Sequence, residues 1–436
     1  MSPTFNRRTF LAGTTAAYAA LKANAALAQD GPASNSDRSS AAPQPIVLGV
    51  MGLSRGSALA TEFGQQAGVT VKYLCDVDSQ RANSFAAQLK DKLQIAAQPI
   101  GDFRRILDDP EIDVLVCAAP NHWHAPATIL GCQAGKHIYV EKPCSHNPQE
   151  GEWMVAAAKK YHRCVQMGTQ RRSSVGTLQA MQRLHAGAIG RVYLSRAYYN
   201  SRRGSIGKRN PSPPPAALNY ELWQGPAPRR PFRDNVVHYN WHWHWHWGNG
   251  ELGNNGVHTL DLCRWGLQVD FPIAVTSSGG RYCFDDDQET PDTHSVAFDF
   301  ADKKSITWHG LSCNGHERGF VHFFGQDGAL ELEANGEYKI FDASGKVVEE
   351  FATSDGGQKS HVENFLAAVR AQDSSLLNQE ISEGHKSTLL CHLGNIAHRV
   401  GRRLQCDHEN GRILNDPDAM TLWQREYAPG WDVLKS

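Results

Sequence analysis

Short apolar runs alternate with helix-like stretches along residues 46–167, and this alternation constrains the fold more than any other feature of the sequence. The first run, Ile46–Met51, is followed by a helix-like stretch, Ala58–Ala67, and then by a second run, Val69–Cys75. Short apolar runs separated by helices are typical of strands that are buried on both faces of a parallel sheet. The alternation therefore predicts an α/β domain built on a doubly wound parallel sheet.

The same pattern predicts the remaining elements of this domain. The predicted helices are Phe103–Leu107, Ala125–Ala134 and Glu150–Tyr161, and the predicted strands are Asp113–Ala118, His137–Val140 and Cys164–Met167. Further along the chain, alternating stretches favour antiparallel strands. These strands are Ser295–Phe300, Ser305–Gly310 and Ala329–Glu333, and they are followed by predicted helices at His361–Ala371 and Glu380–Arg403.

The first strand–helix–strand unit has the features of a dinucleotide-binding site. The turn after the first strand contains Gly52, Ser54, Arg55 and Gly56, with Ser54 in place of the second glycine of the usual pattern and Gly56 one position early. Such a turn sets the N-terminus of a helix against a pyrophosphate. Asp76 follows the second strand, where a carboxylate accepts hydrogen bonds from the ribose hydroxyls and repels a 2′-phosphate. The unit therefore predicts NAD as the cofactor, with NADP possible.

A lysine follows the predicted strand His137–Val140, in the tripeptide Glu141, Lys142 and Pro143. Open α/β sheets bind ligands at the carboxyl ends of their strands. Partial burial there would ease the loss of the lysine proton, and the amine could hydrogen-bond a substrate hydroxyl. Proline donates no backbone hydrogen bond, so Pro143 ends the strand and helps to fix the direction of Lys142. An ordinary lysine at a strand end is the alternative interpretation of this tripeptide alone.

The N-terminus predicts export. Arg7 and Arg8 form a twin-arginine pair ahead of an Ala-rich apolar run that ends in the cleavage pattern Ala26-Leu27-Ala28. This run contains Lys22 and is too short and too weakly apolar to span a membrane. We therefore expect residues 1–28 to be a twin-arginine signal peptide and the protein to be periplasmic or extracellular.

Composition divides the rest of the chain. Residues 29–44 are rich in Ser, Ala, Pro and Asp and lack periodicity, which is typical of a flexible linker. The remainder is long enough for two domains, which we place at residues 45–168 and 169–436. The formal net charge of −1 gives no reason to expect a nucleic acid or an anionic membrane as a partner.

Cysteine usage favours buried, reduced thiols. The chain has ten cysteines and none of them forms a C-x-x-C pair. Cys75, Cys117 and Cys164 lie among apolar neighbours, where a free cysteine behaves as a small apolar side chain.

Several motifs together resemble the Gfo/Idh/MocA family, which includes glucose–fructose oxidoreductase and inositol dehydrogenase. These motifs are GLSRG followed by CDVD, then APNHWH, EKP and MGTQRR. The resemblance covers residues 45–436 and implies an N-terminal Rossmann domain followed by a C-terminal α/β domain. That second domain is built on a large open antiparallel sheet, which usually mediates dimers. Residues 241–261 and Tyr220–Pro231 resemble segments of the exported members.

The resemblance also implies roles for particular residues. It places Asn254 and His258 beside the nicotinamide, and their spacing of four puts both on one helix face. His258 is the expected general acid/base, Asn254 the residue that orients it, and Lys142 the group that hydrogen-bonds the reacting oxygen. Many relatives have Asp at the position of Asn254, and an amide cannot supply the charge that raises the basicity of a histidine. The predicted cofactor-binding residues are Gly52, Ser54, Arg55, Gly56, Asp76, Pro120, Asn121, His124, Glu141 and Lys142.

Two segments of the second half allow more than one interpretation. In the Trp/His run at 241–247, His242, His244 and His246 would share one face if the run were extended, which invites a metal site. Metal sites usually mix spacings and carboxylates, so we favour a packing or sugar-binding strand and predict no metal. The basic, Pro-rich segment Ser201–Pro215 predicts a long loop that is solvated, lies near the site mouth or forms an oligomer contact.

The sequence thus predicts an exported NAD(P)-dependent oxidoreductase that acts on a sugar, cyclitol or glycoside hydroxyl and is a homo-oligomer through the C-terminal sheet. One alternative is an NAD-dependent glycosidase, in which transient oxidation of a ring hydroxyl leads to elimination of the leaving group. Another is a non-catalytic sugar-binding or scaffold protein. Lys142 and His258 argue against this last interpretation, whereas Asn254 mildly favours it.

Overall fold

The computed structural model describes residues 45–316 and 319–431. The predicted signal peptide, residues 1–28, and the predicted linker, residues 29–44, lie outside the described residues. None of the helices within the described ranges is long and apolar enough to cross a membrane.

The N-terminal domain is built on a six-stranded sheet. Its strands are β1 (Ile46–Met51), β2 (Val69–Cys75), β3 (Gln98–Ile100), β4 (Val114–Cys117), β5 (His137–Val140) and β6 (Val165–Met167). All neighbouring strands run parallel, in the order β3-β2-β1-β4-β5-β6. The predicted doubly wound sheet is confirmed, and its strand order reverses between β1 and β4, where such sheets bind ligands. The prediction missed the edge strand β3, which is short and contains Pro99.

Helices follow the strands of this sheet. They are α1 (Arg55–Gly64), α2 (Ser79–Leu93), α3 (Arg104–Asp108), α4 (Asn121–Gln133) and α5 (Pro148–Lys160). The largest error concerns α4, which begins four residues before the predicted start at Ala125. Pro126 is typical of a first helical turn, yet the structure holds it in the second turn. His122, Trp123 and His124 therefore lie on the helix and not in the preceding loop.

The C-terminal domain contains a nine-stranded sheet in the order β14-β13-β12-β11-β7-β10-β9-β8-β15. Its strands are β7 (Val192–Asn200), β8 (Ala274–Gly280), β9 (Thr293–Phe300), β10 (Lys304–Leu311), β11 (Val321–Gly325), β12 (Gly328–Leu332), β13 (Tyr338–Asp342), β14 (Val347–Phe351) and β15 (Leu404–Gln405). The predicted large open sheet is confirmed, with one difference. β7 and β10 pair in parallel, and the other pairs are antiparallel, so the sheet is mixed.

The helices of this domain are α6 (Val175–His185), α7 (Tyr220–Gln224), α8 (Val257–Leu267), α9 (Gln358–Ala371), α10 (Ile381–Val400) and α11 (Pro417–Met420). The predicted helices at His361–Ala371 and Glu380–Arg403 are confirmed as α9 and α10, with ends shifted by at most three residues. α8 and α10 pack on the nine-stranded sheet, and α10 also contacts α5 of the N-terminal domain.

A buried ion pair fixes α8 against the segment that leaves β6. Arg172 donates from Nε and Nη2 to the two carboxylate oxygens of Asp261, each at 2.9 Å. Ser387 and Gln379 also donate to this carboxylate, at 2.6 and 3.0 Å. The guanidinium lies 4.7 Å from the ring centre of Trp265. Both oxygens of the buried carboxylate therefore have hydrogen-bond donors, as burial of an ion pair requires.

Candidate active site

A cleft of about 490 Å³ lies at the carboxyl ends of the parallel strands and is closed on its other side by the C-terminal domain. It brings together all but one of the predicted site residues: Gly52, Ser54, Arg55, Asp76, Pro120, Asn121, His124, Glu141, Lys142, Asn254 and His258. The exception is Gly56, which lies beneath the turn. A Cβ there would lie 3.0 Å from Val50 and 3.4 Å from Ala118, so Gly56 allows α1 to approach the sheet.

The glycine turn is tied to the acid that follows β2. Gly52 has a φ of +85°, and a Cβ there would lie 2.6 Å from the backbone nitrogen of Ala119, so only glycine fits. Asp76 accepts from the backbone N–H of Leu53 at 2.8 Å and from that of Asp78 at 2.9 Å. The carboxylate is thereby fixed beside the turn, where a ribose would lie.

A second acid of the CDVD motif joins the two domains at the same end of the cleft. Asp78 caps α2 by accepting from the backbone N–H groups of Gln80 and Arg81 at 2.9 and 3.2 Å. Its other oxygen lies 3.0 Å from Nε2 of His238, a cleft residue of the C-terminal domain. Sequence reasoning missed this contact because His238 is remote in the sequence and belongs to no motif.

Arg55 reaches across the cleft to β5. Its Nε donates to Glu141 at 3.1 Å, and its Nη2 bonds the side-chain oxygen of Gln358 at the start of α9. Glu141 also accepts from the backbone N–H of Lys142 at 3.3 Å. The guanidinium thus pairs with Glu141 rather than with Asp76, so Arg55 does not occupy the Asp76 carboxylate.

Lys142 is held by the C-terminal domain. Its Nζ donates to the backbone oxygen of Asn254 at 2.7 Å and to the side-chain Oδ1 of Asn254 at 3.1 Å. Burial lowers the pKa of Lys142, while the carboxylates of Glu141 and Glu251 act in the opposite direction. Asn254 in turn donates from Nδ2 to Glu251 at 3.4 Å. In the described part of the chain, the side-chain hydrogen bonds of Asn254 therefore go to Lys142 and Glu251, and none goes to the His258 ring.

Asn254 lies in a wide helical turn of the π type, Leu252–Gly256, which immediately precedes α8. Two glycines permit it: a Cβ on Gly253 would lie 2.4 Å from Cβ of Asn249, and one on Gly256 would lie 3.0 Å from Leu252 and Trp308. Single π turns are frequent at functional sites. Here the turn coincides with a backbone oxygen, that of Asn254, which accepts from a lysine of the other domain.

His258 lies in the first turn of α8 and lines the cleft. Its Nδ1 is buried and has no hydrogen-bond partner among the described residues. Burial lowers the pKa of His258 well below its ordinary value, and the cations of Arg171 and Lys142 lower it further. The ring is therefore neutral at neutral pH, and in this state one of its two nitrogens can accept a proton.

His124 has a different environment from the one expected of a cofactor contact. Its Nδ1 lies 2.6 Å from the backbone oxygen of Pro143, and its Nε2 lies 2.7 Å from that of Ala119. Both ring nitrogens are thus occupied by the chain segments that follow β4 and β5. His124 fixes these segments relative to each other, and Pro120 and Asn121 line the same wall at the start of α4.

Glu251, which accepts from Asn254, is itself paired with Arg203, and sequence reasoning missed this ion pair. Arg203 donates from Nε to Glu251 at 2.7 Å, and its other nitrogens bond the hydroxyls of Tyr239 at 3.0 Å and Tyr199 at 3.2 Å. Its guanidinium also lies 4.6 Å from the ring centre of Trp243. The loop Ser201–Pro215 has no regular structure and is mostly exposed, as predicted, but Arg203 is an exception. The available signal was Glu251, the one acid in the sequence between Asp234 and Asp261, because a buried acid needs a cation.

The Trp/His run is not an extended strand. Asn240–Trp243 is a 3₁₀ turn, and the histidine side chains diverge. His242 Nδ1 lies 2.5 Å from the oxygen of Tyr239, His246 Nε2 lies 2.7 Å from that of Pro228, and His244 Nδ1 lies 3.7 Å from the carboxylate of Glu289. Burial of Trp241, Trp243 and Trp247 overrides the two-residue period of the sequence. Residues 45–316 and 319–431 contain no cluster of three or more ligating side chains that could hold a metal.

Family models match both domains. Residues 46–169 match the NAD-binding Rossmann fold of an oxidoreductase family, and residues 196–433 match the C-terminal alpha/beta domain of the same family. The chain belongs to the Gfo/Idh/MocA oxidoreductase family. The predicted family and the predicted NAD-binding Rossmann domain are thereby confirmed.

The curated relatives that match this chain have names that describe different activities. A levoglucosan dehydrogenase of Pseudarthrobacter phenanthrenivorans is 29% identical over 164 residues, which are 38% of this chain and 35% of that protein. An inositol 2-dehydrogenase of Salmonella typhimurium is 28% identical over 36% of this chain and 45% of that protein. A glycosyl hydrolase family 109 protein of Saccharopolyspora erythraea is 27% identical over 36% of each chain. The chain therefore spans between a third and a half of the length of these curated relatives.

A solved structure extends the likeness to most of the chain. A levoglucosan dehydrogenase in complex with NADH and levoglucosan superposes with a TM-score of 0.64 and 19% sequence identity, over 83% of this chain and 99% of that chain. The two proteins share a fold across both domains.

Proposed function

We propose that the protein is an NAD-dependent oxidoreductase that transfers a hydride between a hydroxyl-bearing carbon of a sugar, cyclitol or glycoside and the nicotinamide. The observation that carries this proposal is the meeting of Lys142 and His258 in one cleft, at the strand ends of an NAD-binding domain. The names of the relatives, a levoglucosan dehydrogenase and an inositol 2-dehydrogenase, support a carbohydrate or cyclitol as the substrate.

The residues of the N-terminal domain fit NAD. Gly52 allows the tight turn that leads to the N-terminus of α1, where a pyrophosphate would lie, and Asp76 presents a carboxylate to the ribose hydroxyls. This carboxylate would repel a 2′-phosphate, which favours NAD over NADP. When bound, the nicotinamide supplies the site that accepts or donates the hydride.

Lys142 binds the reacting oxygen in this proposal. Asn254 holds the ammonium group through two oxygens, so its remaining proton can point into the cleft. A hydrogen bond from this proton stabilises the negative charge that develops as the substrate hydroxyl loses its own proton. Burial lowers the pKa of Lys142, which makes its proton easier to share with that oxygen.

His258 acts as the proton acceptor in the oxidising direction and as the donor in the reducing direction. Its ring is neutral and lines the cleft, so it can bond a substrate hydroxyl that enters there. The contacts of Asn254 with Lys142 support a role for that residue in positioning the lysine.

The proposal is tested by Lys142→Ala and His258→Ala. Each variant should lower turnover by about 10²–10⁴, the usual contribution of a positioned proton-transfer group. NAD affinity should change little in His258→Ala. Lys159→Ala and His408→Ala, at exposed positions, are the matched controls and should keep full activity. Full activity of either cleft variant would refute the assigned roles.

A second candidate, an NAD-dependent glycosidase, is favoured by the similarity to a glycosyl hydrolase family 109 protein. It would use the same residues, so the assay must follow both NADH formation and glycoside cleavage. Cleavage without net NADH, together with NAD released from the purified protein on denaturation, would favour the glycosidase. A third candidate, a non-catalytic sugar-binding protein, predicts neither product.

Export and assembly are proposed on other grounds. Arg7 and Arg8 support twin-arginine export to the periplasm or beyond, and the nine-stranded sheet offers a surface for a homo-oligomer. Size-exclusion chromatography with light scattering tests the second point, and a single-chain mass would contradict it.

A further inference from the structure

Two of the ten cysteines differ from the rest in exposure and in position. Cys283 is exposed and Cys313 is half-buried, and all the others are buried. The buried cysteines are Cys75, Cys117, Cys132, Cys144, Cys164, Cys263, Cys391 and Cys406. The two accessible thiols lie about 30 residues apart in the sequence, yet the side chain of Cys283 lies close enough to Cys313 to raise the pKa of that thiol.

The backbone around Asp292 brings these two thiols together. Asp292 directly precedes β9, which lies between β8 and β10. The backbone N–H of Cys283, beyond the end of β8, donates to the Asp292 carboxylate at 3.1 Å. The backbone N–H of Ser312, beyond the end of β10, donates to the backbone oxygen of Asp292 at 2.8 Å. The segments that carry Cys283 and Cys313 are therefore both anchored to Asp292.

Residues 281–292, here called the strap, hydrogen-bond two segments of the C-terminal domain, which are the Pro-rich loop and the Trp/His run. These two segments are here called the outer wall of the cleft. Asp286 accepts from the Ser205 hydroxyl at 2.8 Å and from the backbone N–H of Ile206 at 2.9 Å. The backbone N–H of Glu289 donates to the oxygen of Trp243 at 2.9 Å. The strap thereby supports both the Pro-rich loop and the Trp/His run, whose residues 241 and 242 line the cleft.

The segment that carries Cys313 reaches the site from the other direction. The hydroxyl of Ser312 donates to Glu251 at 3.4 Å, and Glu251 is the partner of Arg203 and Asn254. A link between Cys283 and Cys313 would thus join the strap to the residues that support Lys142.

We propose that Cys283 and Cys313 form a reversible disulfide bond that staples the strap to the end of β10 and stabilises the outer wall of the cleft. The oxidant is a low-molecular-weight disulfide. The thiolate of Cys283 attacks it, one small thiol leaves, and a mixed disulfide forms on Cys283. The thiolate of Cys313 then attacks the Cys283 sulfur and releases the second small thiol. Two protein thiols are oxidised, one small disulfide is reduced, and both protons pass to the released thiols.

The accessibility of the two thiols sets this order. Cys283 is exposed and meets the oxidant first, whereas Cys313 is half-buried. Burial, and to a smaller degree the neighbouring Cys283, raises the pKa of Cys313 to about 12, which delays its own reaction with the oxidant. Once Cys283 carries a mixed disulfide, Cys313 needs only to attack an adjacent sulfur.

The full-length purified protein is treated with glutathione disulfide and analysed by mass spectrometry. We expect the intact mass to fall by that of two hydrogen atoms and a peptide cross-linked through Cys283 and Cys313 to appear. A loop of this length should raise the melting temperature by about 4 °C, and a thiol reductant should reverse the rise. Cys283→Ser and Cys313→Ser should each abolish the cross-link and the shift, whereas Cys406→Ser, at a buried position, should preserve both.

Three results would overturn the proposal. One is a stable glutathione adduct on Cys283 without a cross-link. Another is a cross-link that involves one of the buried cysteines. The third is a cross-link between Cys283 and Cys313 that leaves the melting temperature unchanged, since the strap would then gain nothing from the bond. These readouts do not depend on activity, so they stand apart from the proposed reaction.

Discussion

Replacing Asn254 with Asp tests whether this residue acts on Lys142 or on His258, which the sequence alone could not decide. The family resemblance assigns this position to His258, whereas the structure gives its oxygen to Lys142 at 3.1 Å. A carboxylate there favours the charged form of whichever group it contacts. We expect Asn254→Asp to raise the pKa of Lys142 more than that of His258.

The magnitude follows from the geometry. Two unit charges 3.1 Å apart attract by roughly 5 kcal/mol at an effective dielectric constant of about 20. Two effects reduce this value: the new carboxylate is desolvated, and it lies near Glu251, which is within 3.4 Å of Asn254 Nδ2. Because Arg203 neutralises Glu251, the repulsion is partial. We expect a net shift of about 1–2 pKa units in Lys142, within the usual range for an opposite charge in contact.

The assay is the pH dependence of turnover. If protonated Lys142 bonds the reacting oxygen, activity is lost as pH rises through the pKa of Lys142. A raised pKa therefore moves the basic limb of the profile to higher pH. The acidic limb, where His258 becomes charged, should move less. Asn83→Asp, at an exposed position of α2, adds the same charge outside the cleft and should leave both limbs in place.

The opposite pattern would refute this reasoning. If the acidic limb moved upward and the basic limb stayed, the carboxylate would be acting on His258, and Asn254 would orient the histidine as the family resemblance implies. If neither limb moved while the melting temperature was retained, the contact with Lys142 would have no part in the chemical step.

Three further outcomes are expected. Asp76 should favour NAD over NADP by about 1–3 kcal/mol in titrations of the apo protein, and equal affinities would contradict its assignment to the ribose. Arg172→Met should lower the free energy of unfolding in urea by about 3–5 kcal/mol because it leaves the buried carboxylate of Asp261 without its cation, and an unchanged stability would contradict this account. Arg7→Lys with Arg8→Lys should leave an uncleaved precursor in the cytoplasm, and normal mature protein in the periplasm would mean that the signal was misread.

Local patterns were sufficient for the N-terminal half of the site. Lys142 was found because it follows an uninterrupted apolar run, and Asp76 because it lies a fixed distance after a glycine turn. Both inferences use the rule that parallel strands present their carboxyl ends at one edge. Both residues line the cleft, and predicting this required no information about contacts between distant segments.

The supporting contacts could not be predicted in this way. Arg203 and Glu251 are separated in the sequence, and Arg203 lies in a segment whose composition predicts a solvated loop. The Trp/His run was wrongly predicted to be a strand because alternating residues are typical of strands. Burial of the indoles favours a 3₁₀ turn instead. Sequence periodicity reports the local backbone, and these contacts depend on how distant segments meet.

The relative positions of Lys142 and His258 depend on the interface between the two domains rather than on either domain alone. Lys142 follows β5, whereas His258 belongs to α8. Asp261 lies three residues after His258 on that helix, so its ion pair with Arg172 fixes the rotation of α8 and hence the direction of the histidine ring. The buried charges therefore serve orientation, although an apolar pair could pack as stably. A combined Arg172→Met and Asp261→Leu variant should accordingly recover stability lost in Arg172→Met but not turnover, and recovery of both would show that α8 needs no such restraint.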